Sequence, residues 1–241
     1  MSAHTDTFYT DVFFEGMQDG ASRSARGILP FVIRLLQPES VVDIGCGRGA
    51  WLAASSELGI TDVLGLDGDY VSNHDLLIPG DRFLATDLSK PFTIPRHFSL
   101  ALCLEVAEHL PRRAARPLVQ TLTAAAPAVL FSAAIPGQPG THHVNEQFPE
   151  YWSSLFADYG YVALDPFRPL IRDDIRVEPW YAQNLLLYVS RSLYESRLNR
   201  YPVVSRPEEL LPWVYAGIWK GRVTWRGPLS LFSILLRRLL P

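Results

Sequence analysis

Short runs of apolar residues, several of them β-branched, alternate along the chain with longer segments of helical composition. Residues 40–45 form the first run, which ends in glycines and is typical of a buried strand. Residues 50–58 have helical composition and stop at Gly59, the residue type that most often follows a helix. The same reasoning predicts strands at 63–67, 82–86, 98–104, 128–132, 161–164 and 184–189, and helices at about 111–125 and 149–159.

This alternation predicts an α/β fold: a Rossmann-like, seven-stranded, mostly parallel sheet with helices on both faces and a C-terminal appendage. A loop joins the last two strands, which indicates that the final strand is antiparallel. Two connections, residues 134–147 and 166–183, are too long for simple turns and are candidates for a substrate lid. The second suits either the lining of a sugar or phosphate site or a solvent-exposed ion-paired loop. Its charged and aromatic residues are Arg168, Arg172, Asp173, Asp174, Arg176, Glu178, Trp180 and Tyr181.

Composition excludes several classes of protein. Apolar residues make up 48% of the 241 residues and charged residues 20%, which excludes a disordered chain. Two cysteines, Cys46 and Cys103, cannot build a disulfide framework or a thiolate zinc site, so we expect a cytoplasmic protein. No segment approaches the roughly 20 apolar residues that span a bilayer. The first 11 residues lack the features of a signal peptide.

The formal net charge of −3 is unevenly distributed. Residues 1–190 carry 13 basic and 22 acidic side chains, and residues 191–241 carry nine basic and three acidic ones. We therefore divide the chain into a domain of residues 1–190 and a basic C-terminal extension of residues 191–241 that serves docking, dimerisation or as a lid. Apolar residues 229–240 predict a helix that docks on the domain or forms a homodimer, in preference to peripheral membrane contact. The acidic domain disfavours nucleic acid as a partner.

A glycine-rich loop follows the first predicted strand. Residues 43–49 read Asp-Ile-Gly-Cys-Gly-Arg-Gly, in which glycines permit a tight turn and the close approach of a ligand to the backbone. Asp67 ends the second strand, where a carboxylate can hold ribose hydroxyls, and Asp87 follows the third. Ligands of such sheets bind at the carboxyl ends of the strands, so we expect Asp43, Asp67 and Asp87 to converge. The loop lacks the full Gly-x-Gly-x-x-Gly of a dinucleotide dehydrogenase.

Residues 42–49, together with Asp67 and Asp87, resemble the motifs of class I S-adenosylmethionine-dependent methyltransferases, and the likeness covers about residues 35–190. It implies a methyltransferase that binds S-adenosylmethionine. It also implies that the loop backbone contacts the methionine moiety, that Asp67 binds the ribose, and that Asp87 and Leu88 border the adenine. The expected cofactor-binding residues are Asp43, Gly45, Cys46, Gly47, Asp67, Gly68, Asp87, Leu88 and Glu105.

A second group of polar residues follows the fourth and fifth predicted strands. Glu105, Glu108 and His109 share one face if their segment turns helically, and His142 and His143 lie in a loop rich in glycine and proline. In the ordinary alternative, the glutamates and His109 orient the cofactor and cap the next helix.

Glu105, Glu108, His109 and a distal histidine resemble the metal-binding quartet of the small-RNA 3′-terminal 2′-O-methyltransferases. In that family a divalent ion holds a vicinal diol and lowers the pKa of the attacked hydroxyl. The resemblance implies metal ligands at Glu105, Glu108, His109 and His143, and this mixed oxygen and nitrogen set suits Mg²⁺ or Mn²⁺. In the metal-free alternative, His142 or His143 is a general base.

These patterns predict an O-methyltransferase that acts on a hydroxyl of a sugar or glycan-type small molecule, with a divalent metal or a histidine base assisting. The expected catalytic residues are His143, His142 and Glu108. Two alternatives stay open: an N-methyltransferase acting on an amino sugar or natural product, and a non-catalytic member of the fold that binds the cofactor.

Overall fold

The structure is a computed structural model that describes residues 11–73 and 76–204. The helix predicted at 229–240, and with it the predicted docking or dimer contact, lies outside the described residues.

Seven strands in the described part of the chain form one sheet in the order β3-β2-β1-β4-β5-β7-β6. Strand β7 runs antiparallel to β5 and β6, while the other pairings are parallel. The predicted fold class and the antiparallel last strand are therefore confirmed. The strands are β1 (Ser40–Ile44), β2 (Asp62–Asp67), β3 (Phe83–Ala85), β4 (Leu100–Leu104), β5 (Ala128–Ser132), β6 (Tyr161–Leu164) and β7 (Leu186–Ser190).

Helices cover both faces of the sheet. They are α1 (Asp11–Leu36), α2 (Ala50–Glu57), α3 (Ala115–Ala125), α4 (Pro149–Asp158) and the short α5 (Arg168–Ile171), α6 (Pro179–Asn184) and α7 (Arg191–Leu193). One apolar core lies between the sheet and α1, α2, α5 and α6, and the other between the sheet and α3 and α4. Every residue of β1, β4 and β5 is buried, as expected for strands covered on both faces.

Helix α1 was not predicted from the sequence. Three glycines, Gly16, Gly20 and Gly27, and Pro30 lie inside it, and each lowers helix propensity. Packing offsets this cost, because its apolar side chains are fully buried in the first core: Ala25, Ile28, Leu29 and Val32.

The second long connection, residues 166–183, is part of the core and not a lid. Four of its apolar side chains, Phe167, Ile171, Val177 and Tyr181, are buried in the first core, while Leu170 and Ile175 are exposed. The segment also holds α1, since the Glu178 backbone N–H donates to Ser24 Oγ at 2.9 Å and its carboxylate accepts from Arg23 at 2.7 Å.

The buried Arg168 guanidinium in this connection pairs with Asp165 at 3.0 and 3.1 Å, and it donates to the carbonyl oxygen of Gln183 at 2.6 Å. Arg176 pairs with Asp174 on the surface at 2.6 Å. The charged residues of 166–183 were interpreted either as the lining of a sugar or phosphate site or as an ion-paired loop, and these contacts fit the ion-paired loop.

Among the described residues, no helix combines the length and the apolar character needed to cross a membrane.

Candidate active site

The glycine loop between β1 and α2 requires backbone conformations that favour glycine. Gly45, Gly47 and Gly49 have φ angles of 79°, 52° and 89°. A side chain at Gly45 would also place its Cβ 2.3 Å from a methyl group of Val106, in the segment after β4. The backbone N–H of Gly45 donates to the carbonyl oxygen of Leu66 at 2.7 Å, which ties the loop to β2. The loop therefore packs tightly and leaves its backbone uncovered by side chains of its own.

Asp67 fixes the other side of this loop. Its Oδ2 accepts a hydrogen bond from the backbone N–H of Gly47 at 2.7 Å. Its Oδ1 accepts from the backbone N–H of Gly68 and from the Tyr70 hydroxyl, both at 2.7 Å. The carboxylate is buried, and burial raises its pKa while these three hydrogen bonds oppose the rise. Asp67 thus lies at the end of β2, in contact with the glycine loop.

Asp43 is buried near the end of β1, and no positively charged group among the described residues pairs with it. Only 2% of its surface is exposed, and its Oδ2 has no hydrogen-bond partner among the described residues. Burial and, secondarily, the negative charge of Asp67 raise the pKa of Asp43 to about 7. Burial also raises the pKa of the neighbouring Cys46 thiol, so this cysteine is a protonated packing residue and not a nucleophile.

Asp87 lies at the same edge of the sheet but faces solvent. The backbone N–H of Thr86 donates to the carbonyl oxygen of Asp67 at 2.7 Å, which places the β3 end beside β2. The Asp87 carboxylate accepts from Ser89 Oγ at 2.6 Å and pairs with Lys90 at 2.7 Å, whereas Leu88 is buried. The structure therefore brings Asp43 and Asp67 together and directs Asp87 to a surface ion pair.

Three of the predicted metal ligands converge beyond β4 and β5. One donor atom each from Glu108, His109 and His143 lies within 4.8 Å of the others. The Glu108 side chain is completely buried, and neither carboxylate oxygen has a hydrogen-bond partner among the described residues. The His109 and His143 rings meet edge to face with centroids 5.0 Å apart.

The loop that carries His143 is fixed to the turn that carries Glu108. The backbone N–H groups of Val144 and Asn145 both donate to the carbonyl oxygen of Glu108, at 2.9 and 3.0 Å. The Asn145 side chain donates to the carbonyl oxygen of Ala107 at 3.2 Å. These bonds set the position of His143 relative to Glu108 through the backbone, so the group is preorganised.

Both histidine rings are oriented through Nδ1. His143 Nδ1 lies 2.9 Å from Glu146 Oε1, and the other oxygen of Glu146 accepts from the backbone N–H of Gly137 at 2.8 Å. His109 Nδ1 lies 3.4 Å from the carbonyl oxygen of His142. A carboxylate or carbonyl on one ring nitrogen leaves Nε2 for a metal, as is usual for ligating histidines. His142 itself is exposed, with a φ of 60°.

The electrostatics of this group favour a cation. Burial, helped by His143, lowers the pKa of His109 to about 4, so its ring is neutral near pH 7, the form that binds metals. Burial and the negative charge of Glu105 raise the pKa of Glu108. A buried carboxyl group beside the neutral His109 ring and the His143 ring, with no cationic partner among the described residues, fits a divalent ion in chemistry and in spacing.

Glu105 has a separate set of contacts. Its carboxylate accepts from Gln138 Nε2 at 2.9 Å and from Asn184 Nδ2 at 3.2 Å, and Asn184 also donates to Gln138 Oε1 at 2.9 Å. Gln138, Asn184 and Glu146 were not predicted. The only sequence signal for Gln138 is its place in a loop rich in glycine and proline, and Asn184 gives none.

The fold is that of the class I S-adenosylmethionine-dependent methyltransferases, as the motifs predict. The methyltransferase domain of bacterial CtHen1-C has a TM-score of 0.53 at 16% identity over 70% of this chain and 98% of that domain. Magnesium protoporphyrin IX methyltransferase (ChlM) from Synechocystis PCC 6803, solved with bound S-adenosylhomocysteine, has a TM-score of 0.52 at 18% identity, over 76% and 90%.

Human N-acetylserotonin methyltransferase, solved with S-adenosylmethionine, has a TM-score of 0.52 at 14% identity, over 74% of this chain and 55% of that enzyme. No family model and no curated protein matches the sequence. At these identities the structural likeness establishes the fold.

Proposed function

We propose that the protein is an S-adenosylmethionine-dependent O-methyltransferase that acts on a hydroxyl of a sugar or glycan-type small molecule with the help of Mg²⁺ or Mn²⁺. Glu108 carries the proposal. Burial raises the pKa of Glu108 although the backbone N–H groups of Glu108 and Ala134 oppose the rise, so ionising this carboxyl group in the free protein costs several kcal/mol, a cost that a nearby cation would offset. The carboxyl group lies within 4.8 Å of two histidines that are held for a ligand. A structural role does not account for this arrangement, because an apolar residue of similar size would be less costly in the same place.

The cofactor half of the proposal is supported by the glycine loop and by the neighbours ChlM and N-acetylserotonin methyltransferase, whose structures contain S-adenosylhomocysteine and S-adenosylmethionine. We place the methionine moiety against the backbone of residues 45–49 and the ribose hydroxyls at Asp67. Asp43 then lies near a ligand that carries a cationic sulfonium and a cationic amino group. Those positive charges would offset the negative charge of the buried Asp43 carboxylate.

Transfer of the methyl group forms a carbon–oxygen bond as the bond from sulfur to the methyl carbon breaks, and the hydroxyl proton leaves. A hydroxyl is weakly acidic, so its proton must be removed or its oxygen stabilised as it attacks. A divalent ion, when bound, lowers the pKa of the hydroxyl and positions a vicinal diol. The chain positions Glu108, His109 and His143 through backbone bonds, and these three residues would hold the ion, in which case the hydroxyl proton would pass to water. Without a metal, Glu146 would orient His143 through Nδ1, and His143 Nε2 would accept the proton.

Glu105 supports both halves of the proposed site. Its hydrogen bonds to Gln138 and Asn184 join the loop after β5 to the end of α6. Its negative charge is one cause of the raised pKa of Glu108, so it adds to the attraction for a cation. The acidic character of residues 1–190 supports a small-molecule or saccharide acceptor in place of a nucleic acid.

Glu108→Gln tests the proposal, since it keeps the shape of the side chain and removes the charge. We expect isothermal titration calorimetry to show loss of Mn²⁺ binding, with affinity for S-adenosylhomocysteine changed less than about 3-fold, since the glycine loop is unaltered. Methyl transfer from labelled cofactor to a panel of saccharide diols should lose its stimulation by Mg²⁺ or Mn²⁺. The exposed Glu39→Gln is the matched control.

Two outcomes would overturn the metal role: Mn²⁺ binding retained in Glu108→Gln, or full transfer by the parent protein in the presence of a chelator. The second outcome would favour His143 or His142 as the base. Transfer to amino sugars without metal, and none to hydroxyls, would favour N-methylation. Cofactor binding without transfer to any acceptor would favour a non-catalytic member of the fold.

A further inference from the structure

Tyr70 makes a contact that the proposed cofactor site does not require. Its hydroxyl donates to Oδ1 of Asp67 at 2.7 Å, on the carboxylate that we assign to the ribose. The Tyr70 ring also covers Gly68, because a Cβ on that glycine would lie 2.1 Å from the ring carbon Cε1. Tyr70 therefore occupies the space directly beside the proposed ribose position.

The hydrogen bonds of Asp67 leave little capacity for a ribose. A carboxylate offers about four acceptor positions in all. The N–H groups of Gly47 and Gly68 take one each, and the Tyr70 hydroxyl takes a third. A ribose bound through both its hydroxyls needs two positions. The two backbone donors belong to the glycine loop and to the end of β2, whereas the Tyr70 donor is a side-chain hydroxyl, which can be displaced without a change in backbone conformation.

We propose that Tyr70 sets the affinity for the cofactor by competing with a ribose hydroxyl for Asp67, and that its hydroxyl leaves the carboxylate when the cofactor binds. This inference rests on the proposed function, since it assumes that the ribose binds at Asp67. In the free protein the Tyr70 hydroxyl partners a buried carboxylate that would otherwise have only backbone donors. When the cofactor binds, a ribose hydroxyl takes over that role, and the ring moves off Gly68.

Tyr70→Phe removes the competing hydroxyl and keeps the ring. Isothermal titration calorimetry should compare the binding of S-adenosylhomocysteine and of its 2′-deoxy analogue. The variant no longer has to give up this hydrogen bond on binding, so it should bind S-adenosylhomocysteine about 10-fold more tightly, which corresponds to about 1.4 kcal/mol. The 2′-deoxy analogue needs one acceptor position fewer, so its affinity should change less than about 2-fold.

Tyr201→Phe is the control, because Tyr201 lies just before residues 203 and 204, which pair with β6 at the opposite edge of the sheet from β2. Thermal unfolding without ligand should show Tyr70→Phe slightly less stable than the parent, since Asp67 loses a donor. Lower stability together with tighter binding is a combination that a packing defect does not produce.

Weaker or unchanged binding of S-adenosylhomocysteine by Tyr70→Phe overturns the inference. An equal gain for both ligands also overturns it, since that would show a steric effect of the ring and no competition for Asp67. If the parent protein binds neither ligand, both the inference and the proposed cofactor fail. If the parent binds S-adenosylhomocysteine and the variant is no tighter, only the inference about Tyr70 fails.

Discussion

Asp43→Asn should make the protein more stable at alkaline pH while weakening the cofactor site. Asp43 is buried, its Oδ2 has no hydrogen-bond partner among the described residues, and Asp67 adds a second negative charge nearby. The pKa of its carboxyl is accordingly raised from 3.8 to about 7. Asparagine has nearly the same shape and cannot ionise, so the substitution isolates the effect of the charge.

Proton binding by Asp43 determines whether stability rises or falls with pH. Between pH 4 and 7 the folded protein holds the Asp43 proton and the unfolded chain does not, so the free energy of unfolding falls as the pH rises. Each unit of pKa difference changes the free energy of unfolding by about 1.4 kcal/mol, so ionisation of Asp43 lowers it by about 4 kcal/mol in all above pH 8. About 2–3 kcal/mol of this decrease falls between pH 5 and 8. The amide introduced at position 43 in the variant, buried without a full set of hydrogen-bond partners, lowers the free energy of unfolding by about 1–2 kcal/mol at every pH. We therefore expect Asp43→Asn to be more stable by about 2 kcal/mol at pH 8 and nearly neutral at pH 5.

Urea unfolding at pH 5 and pH 8, in the presence of a chelator, measures this difference. The control is Asp81→Asn, at an exposed position, whose stability relative to the parent should not depend on pH. If the difference in free energy of unfolding between Asp43→Asn and the parent is the same at both pH values, ionisation of Asp43 is not what destabilises the protein at alkaline pH. Binding of S-adenosylhomocysteine by the variant should be weaker, because the carboxylate no longer attracts the ligand's amino group.

Two further substitutions test the catalytic group and the second connection. His143→Ala should lower kcat by about 100-fold or more, as expected for loss of a metal ligand or general base, with cofactor affinity nearly intact by calorimetry; lost cofactor binding or unchanged turnover would contradict its role. Arg168→Met should lower the free energy of unfolding, measured in urea, by about 3 kcal/mol, because it leaves Asp165 and the carbonyl oxygen of Gln183 without their donor. Unchanged stability with a raised KM for the acceptor would instead indicate that Arg168 lines the substrate site.

The sheet could be predicted because its strands are buried on both faces, so each is a short apolar run bounded by polar or glycine residues. Helix α1 could not be predicted, because its stability comes from tertiary contacts: it packs on α2, Arg26 pairs with Glu57, and the Glu178 N–H donates to Ser24 Oγ from 154 positions away. The 166–183 connection was difficult for the same reason. Its buried side chains, such as Phe167 and Val177, are separated in sequence by charged residues that pair among themselves or with α1.

Some residues of the candidate site could likewise be predicted from the sequence, and others depend on tertiary contacts. The convergence of Glu108, His109 and His143 could be predicted from the sequence because these residues resemble a known metal-binding pattern. Gln138 and Asn184 could not, because an amide gives no signal until the fold places it on Glu105. The Glu105 conformation, with a φ of 55°, is likewise a consequence of tertiary contacts such as the bond from its N–H to the carbonyl oxygen of Ser132.

The two halves of the site are joined by Val106, and this has a consequence for how they act. Val106 lies between the polar residues Glu105 and Glu108 in sequence and fills the space where Gly45 lacks a side chain. The glycine loop and the turn that carries Glu108 therefore pack directly against each other, so a displacement of one should displace the other. Each half also contains a buried carboxyl group with no cationic partner among the described residues, Asp43 in one and Glu108 in the other. A cationic cofactor and a divalent cation would offset these two groups separately, so binding of either ligand should stabilise the protein.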